Sequence, residues 1–220
     1  KGQIDPSSDK EIIDYELIIK DLDTVDKRID KISKQAVTGD KEKKIEFDIL
    51  SLCKTHLEDG KSLRSLDLEA NQIKWIKHLN LITLKPLIYV ANIDDSLEEN
   101  EFYSSVKEFA SENNSQVIGL CNQLEAEIAE LGDDKDDLLK DIGLEEPGLN
   151  VMIRAAFDSL GLQTFFTAGK KEVRAWEIKK GSLAPQAAGT IHTDFEKGFI
   201  RAETISYEDY IEFNGELGAK

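Results

Sequence analysis

The sequence is 220 residues long, 40% hydrophobic and 33% charged, with a net charge of -16 at pH 7. No apolar run is long enough to cross a bilayer, and two cysteines, Cys53 and Cys121, cannot build a disulfide framework. The negative charge excludes broad, unspecific nucleic-acid binding, because a polyanion would be repelled. We expect a protein of the reducing cytoplasm, with neither DNA nor a membrane as partner, whose first and last residues are cuts within a longer chain.

The first stretch, from Asp9 to Leu84, has the apolar spacing of helices. Steps of three and four recur up to residue 32, stop at the polar turn 38–40 and resume after it, which predicts an antiparallel helical hairpin. A third helix follows. The residues expected to face inward are Tyr15, Ile18, Leu22, Val25, Ile29, Ile32, Ile45, Ile49, Leu52, His56, Ile73, Ile76 and Leu79. Core packing explains these side chains, and periodicity does not decide whether the hairpin is also an arm that contacts a partner.

The second stretch alternates strands and helices. Two short apolar runs, Leu87–Ala91 and Gln116–Cys121, predict buried strands. A helix is expected after each, over Glu98–Glu112 and again through Leu124, Ile128 and Leu131. This order predicts a parallel βαβα unit.

The remaining sequence predicts more helix and then a small α+β module. Residues 133–162 are expected to be helical and to end in an apolar stripe of Leu149, Met152, Ile153, Phe157 and Leu160. Beyond them we predict strands at 164–167 and 173–178, a short helix at 184–191 and a further strand at 199–205.

The loop Asn92-Ile93-Asp94-Asp95 follows the first predicted parallel strand, where open α/β sheets bind ligands. An Asn there can brace neighbouring loops, and a carboxylate three positions later can accept hydrogen bonds from a purine. This is the logic of the base-reading Asn-Lys-x-Asp motif of GTPases, with Ile93 in place of Lys. The loop alone favours the alternative, a polar turn whose aspartates complement a helix dipole.

Cys121-Asn122-Gln123 follows the second strand, and its backbone N–H groups are placed to contact a base edge. No Gly-x-x-x-x-Gly-Lys-Ser/Thr loop, which would cradle phosphates and set Mg²⁺, occurs in the 220 residues. We therefore assign no catalytic residue or metal ligand and expect these residues alone not to hydrolyse a nucleotide. A redox role for Cys121 is a weaker hypothesis than a buried structural thiol.

A basic cluster, interleaved with Trp176, lies in the last stretch and consists of Lys170, Lys171, Arg174, Lys179 and Lys180. One interpretation is an RNA- or phosphate-binding face on an otherwise acidic protein. The other is the solvated face of a small sheet. The sequence supports both equally.

Longer motifs in the same region resemble the C-terminal TGS domain of the YchF, or Obg-like, ATPases. They are Phe166-Thr167-Ala168-Gly169, Glu172-Val173-Arg174-Ala175-Trp176, Ala184-Pro185-Gln186-Ala187-Ala188-Gly189 and the run from Ile191 to Ala202. Thr83-Leu84-Lys85-Pro86, ahead of the first strand, resembles the same family's late G domain. Glu145-Glu146-Pro147-Gly148-Leu149-Asn150 is similar to its bacterial branch.

The resemblance implies an α/β fold class: part of a P-loop G domain with a parallel sheet, an inserted antiparallel helical coiled-coil arm and a ubiquitin-like β-grasp TGS domain. It places the end of a G-domain segment and the arm in residues 1–80, the base-reading part of the G domain in 81–162 and an incomplete TGS domain in 163–220. It implies ATP or GTP with Mg²⁺ as ligands of the full-length protein, and the ribosome or ribosomal RNA as partner.

The resemblance also implies residue roles. Asn92, Ile93, Asp95, Cys121 and Asn122 would contact the nucleotide base, and the basic cluster would contact the ribosome. The family has Glu where this chain has Asp95, which points toward GTP, whereas Ile93 favours the adenine-type pocket. We expect ATP hydrolysis by the full-length protein, with GTP close behind; the alternative is a non-catalytic ribosome- or RNA-binding module made of the arm and the TGS domain.

Overall fold

A computed structural model of the chain describes residues 4–94, 100–113, 115–169 and 171–219. These residues fall into two units, one ending at Ser159 and the other beginning at Leu160. No helix in the described ranges is long and apolar enough to span a membrane.

Two long helices, α1 (Pro6–Val37) and α2 (Lys41–Glu58), form the predicted hairpin. Each begins at an aspartate whose side chain caps the free N–H groups of the first turn. Asp5 accepts from Ser8, and Asp40 accepts from Glu42 and Lys43. Gly39, with a φ of 104°, makes the turn between the helices in a conformation that other residues rarely adopt.

The core of the hairpin confirms most of the predicted seam of α1 and part of that of α2. In α1 the predicted Ile18, Val25 and Ile32 are buried, whereas Tyr15 is 62% exposed. In α2 the predicted Ile49 is buried, but Ile45 and Leu52 are 45% and 44% exposed, and the inner face also includes Glu46, Leu50, Cys53 and Leu57. The prediction was wrong at Ile45 and Leu52, because the residues that follow them, Glu46 and Cys53, are the ones that face inward.

The chain then closes one end of the hairpin. A 3₁₀ turn at Leu63–Ser65, helix α3 (Ala70–Ile76) and a second 3₁₀ turn at Lys77–Leu79 lead back toward the sheet. Leu63, Ile76 and Leu81 are buried with the core side chains of α1 and α2. Of the three residues predicted to face inward here, Ile76 is fully buried.

The βαβα prediction is confirmed. Strands β1 (Ile88–Asn92) and β2 (Gln116–Leu120) are parallel and pair in register from Ile88–Gln116 to Asn92–Leu120. Helix α4 (Glu101–Glu112) connects them, and α5 (Asn122–Leu131) follows β2. Tyr89 of β1 packs edge-on against Phe109 of α4, with ring centroids 5.1 Å apart.

The stretch 133–162 is helical only in part. A 3₁₀ turn at Gly132–Asp134, helix α6 (Lys135–Asp141) and helix α7 (Gly148–Ser159) are separated by non-helical residues 142–147. Gly143, with a φ of 74°, interrupts the helical backbone. The apolar stripe of this stretch is open to solvent at Leu149, Ile153 and Leu160, which are 52%, 48% and 49% exposed.

In the second unit, both predicted strands are present as β3 (Leu162–Ala168) and β4 (Val173–Lys179), which pair antiparallel in register from Leu162–Lys179 to Ala168–Val173. The helices are α8 (Ala184–Ile191), α9 (Thr193–Lys197), α10 (Tyr207–Glu212) and α11 (Glu216–Ala219). The strand predicted at 199–205 is wrong: these residues have irregular backbone. Apolar alternation makes a strand only where a neighbouring strand pairs with its backbone, and among the described residues none does here.

Candidate nucleotide-base site

A side-chain hydrogen bond joins the two loops that the sequence singled out. Asn92 is the last residue of β1, and Asn122 is the first residue of α5. The Oδ1 atom of Asn92 accepts a hydrogen bond of 3.0 Å from the backbone N–H of Asn122, 30 positions later. The bond lies where both parallel strands end, so Asn92 braces the neighbouring loop as its type and position predicted.

The loop after β1 is also tied to β2 through its backbone. The N–H of Ile93 donates a 3.0 Å hydrogen bond to the carbonyl of Leu120, which extends the strand pairing by one step. Ile93 is half-buried. Asp95, the predicted acceptor of base hydrogen bonds, lies outside the described residues.

Cys121 and Asn122 differ in accessibility although they are adjacent. Cys121 is 6% exposed and precedes α5, while Asn122 is exposed. Because its thiol is buried, Cys121 can contribute to this edge only through its backbone groups. The fold therefore brings four of the predicted base-contacting residues to one edge of the sheet: Asn92, Ile93, Cys121 and Asn122. Among these four, the two asparagines have exposed polar side chains.

Sequence reasoning missed Glu125, one turn into α5. Its carboxylate accepts hydrogen bonds from the backbone N–H groups of Gly148, at 2.6 Å, and of Leu149, at 3.1 Å. These are the first two residues of α7, so Glu125 caps that helix from another helix. The available signal was Pro147-Gly148 at a helix start with no capping side chain just before it.

The connection that leads into α7 has an ion pair of its own. Arg154 donates hydrogen bonds from both terminal nitrogens to the carboxylate of Glu146. Hydrogen bonding to this guanidinium lowers the pKa of Glu146 below its ordinary value. The pair is exposed, so it orients the connection more than it stabilises the fold.

The basic cluster of the second unit is held by β4 and its flanking turns. The guanidinium of Arg174 lies 4.2 Å from the centroid of the Trp176 ring, and the Trp176 indole N–H donates to Thr167 Oγ1 at 3.0 Å. Lys171 is exposed in the turn before the strand. Arg174 is therefore a stacked cation with a fixed orientation. Lys170 lies outside the described residues.

The described basic residues do not converge on one face. Strand alternation places Arg174 and Lys179 on opposite sides of β4. The Lys179 ammonium donates to the carbonyl of Leu160 at 2.7 Å. Lys171 precedes this strand and Lys180 follows it, and the two ends of the strand are about 20 Å apart at the usual rise per residue.

The histidines have structural partners. His56 Nε2 lies 3.1 Å from the carbonyl of Ser62 and 2.9 Å from Ser65 Oγ, and His192 Nδ1 accepts from the N–H of Asp194. Across the described ranges, no group of three or more His, Cys, Asp or Glu side chains is arranged to hold a metal ion.

Comparison with known proteins shows relatives that match the whole chain. Residues 162–220 match the family model YchF-GTPase_C, described as a protein of unknown function (DUF933). The whole chain is 50% identical over 221 residues to the ribosome-binding ATPase YchF of Escherichia coli O157:H7. It is 47% identical over 224 residues to the protein of that name from Bacillus subtilis (strain 168).

A solved structure extends the similarity to the fold. The YchF GTPase of Schizosaccharomyces pombe superposes with a TM-score of 0.85 at 31% identity and covers 99% of this chain. The chain belongs to the YchF family. It spans 61% of the length of each of the two bacterial relatives and 61% of the yeast chain.

The mixed helix and strand content and the small sheets are those of the YchF structure. The curated relatives are named for ATP hydrolysis and ribosome binding, and the yeast structure is named a GTPase.

Proposed function

We propose that the full-length protein is a ribosome-associated ATPase, able to use GTP as well, whose purine base binds at the edge formed by the β1–α4 and β2–α5 loops. The observation that carries this proposal is the 3.0 Å bond from the Asn122 N–H to Asn92 Oδ1. It ties together the two loops that a base must contact at once, in a chain 50% identical to a named ribosome-binding ATPase.

Each group at this edge has a role that fits a purine. Asn92 holds the loops, so a base meets a surface formed before it binds, which reduces the entropy lost on binding. Ile93 packs on the base through apolar contact, and Asp95 accepts hydrogen bonds from the base edge. Cys121 and Asn122 contribute backbone around the ring.

The choice between ATP and GTP depends on the loop after β1. Asp95 has the short carboxylate that suits the N–H and amino group of guanine, whereas Ile93 replaces the lysine of GTPases and suits an adenine pocket. The names of the relatives include both activities. We propose ATP as the preferred substrate and GTP as a second one.

We assign no described residue to binding or cleavage of the nucleotide phosphates. The 220 residues contain no Gly-x-x-x-x-Gly-Lys-Ser/Thr loop, and the described ranges contain no acidic or histidine cluster suited to a metal ion. Mg²⁺ in this family would neutralise phosphate charge during transfer. No residue of this chain is assigned to that ion.

The ribosome, or its RNA, is the proposed partner, and the cytoplasm is the proposed compartment. We assign residues 1–80 to the end of a G-domain segment and the helical coiled-coil arm, 81–162 to the base-reading part of the G domain and 163–220 to a TGS domain. The contact of Arg174 with Trp176 supports an RNA-facing role for the TGS domain, because stacked guanidinium and indole groups suit unpaired bases.

The test of base binding uses the product of the complete reading frame that contains these residues. We expect Asn92→Ala to weaken binding of fluorescent ATP and GTP about tenfold, because one bracing hydrogen bond and the loop order it maintains are lost. Asn71→Ala is the control, since Asn71 is an exposed residue of α3. Equal affinities in the two variants would contradict the proposed site.

A second variant tests the choice of base. Asp95→Glu moves the carboxylate outward by one methylene, and we expect the ratio of ATP to GTP affinity to rise. A ratio that stays constant while both affinities remain measurable would mean that Asp95 does not read the base.

The alternative function is a binding module without chemistry. It predicts that the complete gene product binds ribosomes but neither binds nor hydrolyses nucleotides. Arg174→Ala should then weaken co-sedimentation with ribosomes, whereas Lys197→Ala, outside the cluster, should not. Nucleotide hydrolysis that disappears in a phosphate-loop variant of the gene product would exclude this alternative.

A further inference from the structure

We propose that Glu125 and Gly148 form a positioning clamp that holds the Asn122 loop in the conformation that binds the nucleotide base. The inference deepens the proposed function and rests on it. Under this inference, Glu125 and Gly148 contribute to affinity for the base although neither lies in the two loops. The first turn of α7 then helps to hold the site in position.

The clamp begins with the capping carboxylate. Glu125 lies one helical turn after Cys121, and its own N–H donates a 3.0 Å bond to the Cys121 carbonyl. Its side chain reaches across to two N–H groups of α7. The first turn of α5, which carries Asn122, is therefore bonded at its base to a second helix.

Gly148 is required by this close approach. A Cβ atom built on Gly148 would lie 2.7 Å from Glu125 Oε1 and 3.2 Å from Leu120 Cβ. Any side chain here would push Glu125 or Leu120 away. Gly148 thus lets α7 reach both the end of β2 and the first turn of α5.

The same two neighbours lead to the base loops. The Leu120 carbonyl accepts from the N–H of Ile93, and Asn122 donates to Asn92. A displacement at Gly148 therefore reaches the β1 loop by two routes, one through β2 and the other through α5. The routes consist of hydrogen bonds between residues already in contact, so a small shift at α7 alters both loops.

Charge makes the clamp stronger than a neutral turn. A carboxylate that accepts two N–H groups at a helix N-terminus interacts with the positive end of the helix dipole as well as with each donor. Glutamine keeps an acceptor oxygen but loses the charge and one of the two acceptors. Alanine loses all three contributions, so the two substitutions should give graded effects.

The experiment measures nucleotide affinity and turnover in the full-length gene product. We expect Glu125→Ala to raise KM and the dissociation constant for ATP about tenfold, with kcat within about twofold of wild type, because the loop is displaced but the phosphates are not. Glu125→Gln should have a KM and a dissociation constant for ATP between those of wild type and of Glu125→Ala. Gly148→Ala should reproduce the effect of Glu125→Ala although Glu125 itself is unchanged, because the added methyl group displaces its carboxylate.

Glu130→Ala is the matched control, since Glu130 is an exposed residue of the same helix. A purely structural role would lower the thermal midpoint of Glu125→Ala but leave KM at the wild-type value at temperatures where the protein is folded. That outcome, or an unchanged affinity in Gly148→Ala, would overturn the clamp. If the wild-type protein binds no nucleotide, the proposed function itself fails, which is a distinguishable result.

Discussion

Asp21, buried in α1, accepts hydrogen bonds of 2.7 Å from both the N–H and the hydroxyl of Thr83, 62 positions later in the chain. Its other carboxylate oxygen accepts from the N–H of Ile82 at 2.9 Å. Thr83 in turn receives the N–H of Leu63 on its hydroxyl oxygen and the N–H of Arg64 on its carbonyl. One carboxylate therefore ties the hairpin to the segment that enters the sheet.

This junction predicts a large loss of stability on removal of one hydroxyl. Thr83→Val keeps the shape of the side chain but leaves the Leu63 N–H without its acceptor and Asp21 with one donor fewer. We expect the free energy of unfolding to fall by about 2 kcal/mol, the usual range for a buried polar group left unsatisfied. Urea unfolding followed by Trp75 fluorescence in a Trp176→Phe background measures the first unit, because the chain has two tryptophans.

Thr24→Val is the matched control for that measurement. The Thr24 hydroxyl donates to the Lys20 carbonyl on the exposed side of α1. We expect a change within about 0.5 kcal/mol. Equal losses in the two variants would show that the Asp21–Thr83 junction adds nothing beyond local helix preference.

A second buried carboxylate joins α1 to α2 and yields the next prediction. Glu46 is 3% exposed and accepts from Arg28 Nε at 2.6 Å and from Arg28 Nη2 at 2.9 Å. Arg28→Met keeps the apolar stem but leaves the buried charge with weaker compensation, which should lower the free energy of unfolding by about 3 kcal/mol. Lys27→Met breaks an exposed ion pair with Asp23 instead, and we expect a change within about 0.5 kcal/mol.

The same pair predicts how stability depends on pH. Burial opposes the ionised form of Glu46, but hydrogen bonds from Arg28 and Lys43 outweigh burial and lower its pKa below 4.5. The stabilisation is therefore present above pH 4.5 and is lost as pH falls through the lower folded pKa. Glu46→Gln should be less stable than wild type at neutral pH, and the difference should shrink on acidification below pH 4.5.

The pH measurement needs a background without one neighbouring group. His78 Nε2 lies 3.5 Å from Glu46 Oε1. Both proteins should therefore carry His78→Gln, so that Arg28 and Lys43 are the remaining cations around Glu46. A difference between the two free energies that is constant from neutral pH to below pH 4.5 would contradict the assigned pKa shift.

Sequence predicted the features that depend on local pattern. The seam of α1 and the strand–helix–strand order around Asn92 follow from periodicity and turn residues, and both are present. On α2 the prediction missed the buried Glu46, whose carboxylate accepts hydrogen bonds from its partner Arg28 on α1. That partner is 18 positions away, beyond the reach of a helical pattern.

Features that depend on distant partners were not predictable. Glu125 appears in sequence as one acid among many on α5, and only the fold brings Gly148 to it. Residues 199–205 were predicted as a strand from their apolar and β-branched content, but backbone pairing decides whether they form one. The acceptor Asp95 and the basic Lys170 remain predictions from chemistry, since they lie outside the described residues.

The last prediction concerns the thiol of Cys53, which is fully buried between α1 and α2. Burial raises its pKa from 9.0 to about 11. Because this rise lowers the thiolate fraction at neutral pH about a hundredfold, reaction with a thiol reagent should be slower by at least that factor in the native protein than in urea. The measurement uses Cys121→Ala, so that Cys53 is the remaining native thiol.

An internal reference makes the comparison independent of the reagent. Thr55→Cys, added to the same protein, introduces an exposed thiol two residues further along α2. We expect two phases in the native protein, a fast one from the introduced thiol and a slow one from Cys53 that accelerates with urea. Two fast phases would mean that α1 and α2 separate readily, because Cys53 cannot reach the reagent unless its contacts with the hairpin core open.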